Sequence, residues 1–248
     1  MSKIIFYIYI FFFIFKNLVY AVDIPVIVIA PSKSPQSYSS VGSSVSSIDS
    51  KKIEKSNEFF ISDILDNNLP GMNYFRSGGY GTISGIQLRG LPKRYSTVYI
   101  DGVRQSDPSS VSDDYDFSHL LKNSISRVEI LKGNQSSVYG SGAIGGTINI
   151  FTKNAEKGFH KNFEYNTGSY GTHNAIASLS GANEKNNFYF GIERFQTDGI
   201  SAMTHNDEKD RYRNNSLIAK YDYIFSNKLK FKSNLRFAET YLQYDKEV

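Results

Sequence analysis

The sequence predicts a compact α+β domain followed by the opening strands of an antiparallel, membrane-spanning β-barrel. Three observations predict it. The C-terminal part alternates apolar and polar residues with a period of two, most clearly where Leu229, Phe231, Ser233, Leu235 and Phe237 interleave with Lys228, Lys230, Lys232, Asn234 and Arg236. That is the pattern of a strand with one greasy and one wetted face. The 248-residue chain holds 18 Tyr and 18 Phe with no Trp, yet its mean hydropathy is slightly polar at −0.36. Such a balance suits a barrel with a hydrated interior better than a bundle of membrane helices. The middle of the chain mixes short strand-like runs, turns and a helical pattern, as a small α+β domain does.

From the N-terminus, residues 1–21 read as a secretory signal: Lys3, the apolar stretch 4–15, then Val19-Tyr20-Ala21 at the cleavage position. The apolar stretch stops at Lys16, short of the roughly 20 residues that a spanning helix needs. Residues 24–30 are a short apolar, strand-like piece, and 31–47 are rich in Ser and Pro, so 22–47 read as an extended segment with a tether behind it. The compact domain is expected over 48–155. Phe59, Phe60, Ile61, Ile64 and Leu65, capped by Ser56 or Asn57, predict a short helix ended by Leu69-Pro70-Gly71. Strands are expected at 86–89, 97–100, 125–131 and 147–152, with turns at Asp101-Gly102 and Lys132-Gly133 and a helical turn or two in 116–121.

From Gly158 onward the texture is strand and turn only, with strands near 159–168, 174–182, 187–197, 214–225 and 228–239. Tight turns fall at 183–186 and 226–228, and the longer polar link 199–213 joins the third strand to the fourth. Barrels of the outer-membrane kind alternate short periplasmic turns with long outer loops. The tight turns are then periplasmic and 199–213 extracellular. Five strands cannot close a barrel, and an open edge in lipid leaves backbone groups unsatisfied. The chain is therefore expected to be truncated relative to a longer protein.

Composition excludes several chemistries. With no Cys, thiol catalysis, Cys-ligated zinc, haem attachment through Cys and a lipoprotein anchor are ruled out. The formal net charge is +4, and removal of the signal takes away Lys3 and Lys16 and no acid, which leaves +2. No nucleic-acid footprint is present. His119, His160, His173 and His205 lack metal spacing, no Gly-x-Ser-x-Gly occurs, and Asp113, Asp114 and Asp116 read as helix-entry acids, so the chain is not expected to be an enzyme. Gly78-Gly79-Tyr80-Gly81 and the Gly-rich stretch 140–146 contain no Gly-Lys-Ser or Gly-Lys-Thr, and they read as tight turns, not phosphate cradles.

Five strings in order carry a family resemblance. They are Asp63-Ile64-Leu65 through Leu69-Pro70-Gly71-Met72, Ile86-Gln87-Leu88-Arg89-Gly90, and Val98-Tyr99-Ile100-Asp101-Gly102-Val103. Arg127-Val128-Glu129-Ile130-Leu131-Lys132-Gly133 follows, and then Val138-Tyr139-Gly140 with Ala143-Ile144-Gly145-Gly146-Thr147-Ile148-Asn149-Ile150. With the exported N-terminus and the amphipathic strands behind them, these resemble a TonB-dependent outer-membrane receptor. The resemblance implies a plug domain inside a barrel of about 22 strands, of which 156–248 supply the first five. Gly168-Ser169-Tyr170, Thr197-Asp198-Gly199 and Tyr244-Asp245 are most similar to the vitamin B12 (cobalamin) receptors.

The resemblance also implies roles for particular residues. By it, Asp23, Ile24, Pro25, Val26, Ile27, Val28, Ile29 and Ala30 stand where the family has its TonB box, an exposed segment that adds as a strand to periplasmic TonB, which works with ExbB and ExbD. Pro25 removes one backbone donor from that pairing. By the same likeness the outward loops 76–84 and 104–112 are expected to bind ligand through Arg76, Tyr80, Gly81, Arg104, Asp107, Ser109 and Ser110, a mixture of flat aromatic and polar groups suited to a bulky ligand. The family pattern implies that Arg89 is buried and paired with a carboxylate of the barrel wall. It also implies that Asp198, Asp207, Asp210, Glu239 and Asp245, in two outer loops, share a calcium ion. No cofactor is otherwise required.

Cobalamin is the first expected ligand and a ferric siderophore or haem the second, with a monomer in outer-membrane lipid of a Gram-negative bacterium. A different class, a secreted adhesin or carbohydrate-binding module, predicts both strand faces wet.

Overall fold

The computed structural model describes residues 27–30, 32–201 and 209–243. The signal sequence, Asp23, Ile24, Pro25 and Val26 lie outside the described residues, as do His205, Asp207 and Asp245.

The N-terminal domain is built on a five-stranded mixed sheet. Its strands are β3 (Ser44–Ile48), β6 (Ser96–Ile100), β7 (Val103–Gln105), β8 (Ile125–Lys132) and β9 (Gly146–Thr152), in the order β3-β8-β9-β6-β7. Only β6 and β9 run parallel; the other pairs are antiparallel. A separate hairpin joins β4 (Met72–Arg76) to β5 (Ser84–Leu88), and a two-residue pairing joins β1 (Ile27–Val28) to β2 (Gln36–Ser37). Ile64, Leu65, Ile86, Leu88, Val128, Ile130, Ile148 and Ile150 are part of one buried cluster between sheet, helix and hairpin. Burial of such side chains contributes about 1.5–3 kcal/mol each.

The fold corrects two expectations and adds one helix. The Ser-rich run is no free tether: β2 and β3 lie within it, because Val45 and Ile48 bury against the sheet and the Ser residues between them are small enough to follow. A helix not read from sequence, α1 (Ser50–Lys55), precedes the predicted one and is capped by Asp49, whose carboxylate accepts the Lys52 amide at 2.9 Å. The predicted helix, α2 (Ile61–Asn68), is not capped by Ser56 or Asn57. Its Ile61 amide donates to the Leu120 carbonyl at 3.1 Å, so a neighbouring segment supplies the acceptor that a cap side chain would have supplied.

The C-terminal part is a five-stranded antiparallel meander of β10 (Gly158–Gly168), β11 (Thr172–Ala182), β12 (Asn186–Thr197), β13 (Tyr212–Ser226) and β14 (Leu229–Leu242). Its register sorts side chains by face, because directly opposed residues share a side. Phe163, Ala177, Ile192, Leu217 and Phe237 form one row, and Lys161, Leu179, Phe190, Ala219 and Leu235 the next on that face. Glu164, Ile176, Glu193, Ser216 and Ala238 form a row on the other face, which meets the N-terminal domain. Phe163, Leu179, Phe190, Ile192, Leu235 and Phe237 are exposed. An apolar outer face over a polar, domain-facing one is the arrangement expected of barrel wall in lipid. Among the described residues no helix is long and apolar enough to cross a membrane.

Candidate functional site

The domain is held to the strands by three groups of contacts. At one end of the meander Asp101, in the turn between β6 and β7, accepts the Thr152 amide at 2.9 Å and hydroxyl at 2.5 Å, and also the Asn234 side-chain amide at 2.7 Å. The Lys220 ammonium lies 3.2 Å from the same carboxylate. Burial works against the charge on Asp101, but the Thr152 hydrogen bonds and the Lys220 charge outweigh it and hold the carboxyl below its usual range. In the middle, Glu193 of β12 accepts from the Asn123 and Asn174 side-chain amides at 2.5 and 3.0 Å. At the other end the His119 Nδ1 lies 3.0 Å from the Tyr212 hydroxyl, and Asn214 donates to the His119 carbonyl at 3.0 Å.

That second end carries an aromatic cluster. Phe60, at the start of α2, stacks on Tyr80 at 5.1 Å between ring centroids and meets Phe195 edge-on at 5.3 Å; Tyr80 meets Phe195 at 5.6 Å. Beneath the Tyr212 ring lies Gly81, at φ +85°, where a Cβ would sit 2.3 Å from a ring carbon. The Arg76 guanidinium lies 4.8 Å from the Tyr80 ring centroid, its Nε donates to the Gly78 carbonyl at 3.2 Å, and it reaches Asp63 at 3.7 Å. Burial raises the Asp63 pKa, with Arg76 opposing.

The loop after β7 is laced internally. Asp107 accepts the Ser109 amide and hydroxyl at 2.9 and 2.6 Å, which hold its carboxyl below the usual range. Arg104 pairs with Asp113 at 3.0 Å, both well exposed. Ser110 and Ser112 donate to Asp114, which also meets Lys93 at 3.0 Å.

A mixed-sheet domain docked on amphipathic strands has known counterparts. Residues 37–147 match the family model described as the TonB-dependent receptor plug domain. Over those residues the chain is similar to such a plug domain. The plug and the strands together are similar to solved receptors. One is the ferripyoverdine receptor of the outer membrane of Pseudomonas aeruginosa, with a TM-score of 0.73 at 15% identity, covering 87% of this chain and 28% of that one. Another is the siderophore receptor PirA from Acinetobacter baumannii, at 0.64 and 18%, covering 81% and 32%. A third is the ferric yersiniabactin uptake receptor FyuA from Yersinia pestis, at 0.60 and 23%, covering 80% and 31%. The chain thus spans about a third of the length of these receptors.

The residues expected at the site fall into different settings. Tyr80 and Gly81 pack the plug's first loop against the wall and Arg76 braces that loop, so their contacts are internal. Arg104, Asp107, Ser109 and Ser110 present polar, partly exposed groups on the second. Arg89 is exposed, not buried: β5 ends at Leu88, and Arg89 turns away at φ 54°. Among the described residues it forms no ion pair, and it lies beside Lys132, whose pKa is lowered by burial and by Arg89. Asp198 is engaged by Lys209 at 3.0 Å and Arg211 at 3.6 Å, and Glu239 accepts from Asn215 at 3.3 Å. Asp210 also has a partner. Among the described residues no group of three or more carboxylates and His is gathered to hold a metal ion.

The end of the expected TonB box is not exposed. Val28 and Ala30 are buried with Val45 and Leu131. The Ile29 and Ala30 amides donate to Oε2 of Glu129, a residue to which sequence alone assigned no role. Its signal was there: a lone carboxylate inside the apolar run of β8 has to find partners when buried.

Proposed function

We propose that the protein is a TonB-dependent outer-membrane receptor that imports a ferric siderophore. The observation that carries the reading is the plug docked through Asp101, Glu193 and His119 on the polar face of a sheet whose other face is apolar. In this reading 169–171 and the link after Thr197 face outward, the turns near Asn183 and Ser226 face the periplasm, and the N-terminal segment led by Asp23 receives TonB, driven by ExbB and ExbD. The plug loops 76–84 and 104–112 form the floor of the ligand site, with Arg104 and its neighbours available to ligand while Arg76 and Tyr80 hold the floor in place. The chain works as a monomer.

The siderophore is preferred to cobalamin because the ferripyoverdine receptor, PirA and FyuA are siderophore receptors, as their names state. Two of the short strings that resemble cobalamin receptors, Gly168-Ser169-Tyr170 and Thr197-Asp198-Gly199, lie at strand ends and in the turns beyond them, where sequence drifts most readily. Uptake of radiolabelled ferric siderophores and of radiolabelled cobalamin, in a Gram-negative host stripped of its own receptors, tests both readings. Siderophore accumulation that disappears without TonB is the expected result. TonB-dependent cobalamin accumulation alone reassigns the ligand, and accumulation of neither sinks the transport reading.

A further inference from the structure

We infer that Glu129 and Tyr139 form a latch that grips the N-terminal segment by its main chain at Ile29 and Ala30. Four observations converge on it. The Glu129 side chain is wholly buried, at 0% exposure, and its Oε2 accepts two successive amides, Ile29 at 2.9 Å and Ala30 at 2.7 Å. The Arg127 Nε lies 2.9 Å from Oε1 and balances the charge. On the opposite side of the segment the Tyr139 hydroxyl donates to the Ala30 carbonyl. Tyr139 is itself fixed, since its own carbonyl accepts the Tyr99 hydroxyl at 2.9 Å.

The grip falls on backbone atoms, whereas the side-chain anchors Val28 and Ala30 are small. A pair of β1–β2 partners alone is too short to hold a strand in place. A buried carboxylate taking two amides is strong because both bonds are charge-assisted, and abandoning it leaves the buried Oε2 without its two donors. It borders a gap of about 490 Å³ between the plug and β13–β14, lined in part by Ala30, Lys33, Tyr139, Asp101 and Lys220. Once the latch lets go, water in that gap reaches the Ile29 and Ala30 amides.

The inference rests on the receptor reading for its purpose, the parking of the TonB-binding segment, but its test needs neither TonB nor ligand. Hydrogen–deuterium exchange is measured on the full-length protein in lipid vesicles, as wild type, Glu129→Gln and Tyr139→Phe. Exchange across 27–30 is expected to rise about tenfold in Glu129→Gln and severalfold in Tyr139→Phe, as loss of a charge-assisted and of a neutral hydrogen bond predict. Peptides from β8 and β9 should keep their protection. Unchanged exchange at 27–30 in both variants overturns the latch. If Glu129→Gln also loosens β8, Tyr139→Phe, which keeps its shape, decides alone. A failed uptake assay with raised exchange would remove the transport reading and leave the latch standing.

Discussion

The Lys220 ammonium of the wall lies 3.2 Å from the Asp101 carboxylate of the plug, and both side chains are largely withdrawn from solvent. Asp101 is the more heavily bonded partner, with Thr152 and Asn234 also on its oxygens. Replacing it by Ala leaves the Lys220 ammonium with only the Asn154 side chain and the Thr152 carbonyl, neither of them charged, and loss of one partner of a buried pair costs up to about 3–5 kcal/mol. Asp101→Ala should lower the urea midpoint of the detergent-solubilised protein accordingly. The double variant Asp101→Asn, Lys220→Met should recover most of the loss, since no charge is then left unpaired.

His119 sets a pH dependence. Burial lowers its pKa, with the nearby Asp116 opposing. In the unfolded chain a His titrates near about 6.5. Burial thus favours the neutral ring, so its contribution is complete above that value and erodes as pH falls toward the lowered native pKa. Unfolding midpoints should drop between about pH 7.5 and 5.5, and His119→Gln should flatten that part of the profile. A profile identical in the variant would show that other groups carry the acid sensitivity.

Two glycines differ in what blocks a side chain. At Gly81 the obstacle is the Tyr212 ring, 2.3 Å from where a Cβ would stand, while at Gly146 (φ +149°) it is the Leu131 carbonyl oxygen at 2.2 Å. A ring can be trimmed and a backbone cannot. Gly81→Ala should destabilise by about 1–3 kcal/mol and be partly rescued by Tyr212→Ser. Gly146→Ala should lose the plug fold, read as loss of protease resistance, with no second-site side-chain rescue.

The two faces of the wall should respond oppositely to charge. Ile192 is on the apolar face and Asn162 on the polar one. Ile192→Lys should reduce folding into lipid vesicles by about 2–4 kcal/mol if it lies at mid-membrane depth, whereas Asn162→Lys should be near neutral. Heat-modifiable gel mobility reads the folded fraction. Equal tolerance of both would favour a sheet wetted on both sides.

The wall was the most legible part of the sequence, because a period of two persists through every strand and needs no tertiary partner to be seen. The five strands begin and end within a few residues of where alternation placed them. The plug sheet was legible where Ile, Val and Leu crowd together, as in β8 and β9. It was illegible at β3, where Val45 and Ile48 stand among Ser residues that read as linker, and at α1, whose only buried residue is Ile53. The candidate site was read least well. Tyr80 carries the marks of a ligand-facing aromatic, and only the fold shows that Phe60 stacks on it, Phe195 meets it edge-on and Arg76 lies over its ring. The burial of Arg89 is an expectation taken from the family pattern; the turn that swings it outward is a matter of φ, which Arg does not advertise.

The strand order of the plug sheet has a mechanical consequence. β3 is the hem of that sheet, stitched to β8 alone, whereas Asp101 belongs to the far side, beyond β9 and β6. Tension entering through the N-terminus meets first a two-residue pairing, then the Glu129 grip, then a single seam of five residues. Those can be drawn away one after another while the remaining four strands stay riveted to the wall through Lys220. On the proposed receptor reading, where force enters at the N-terminus, this weave separates a part able to leave from a part held fast.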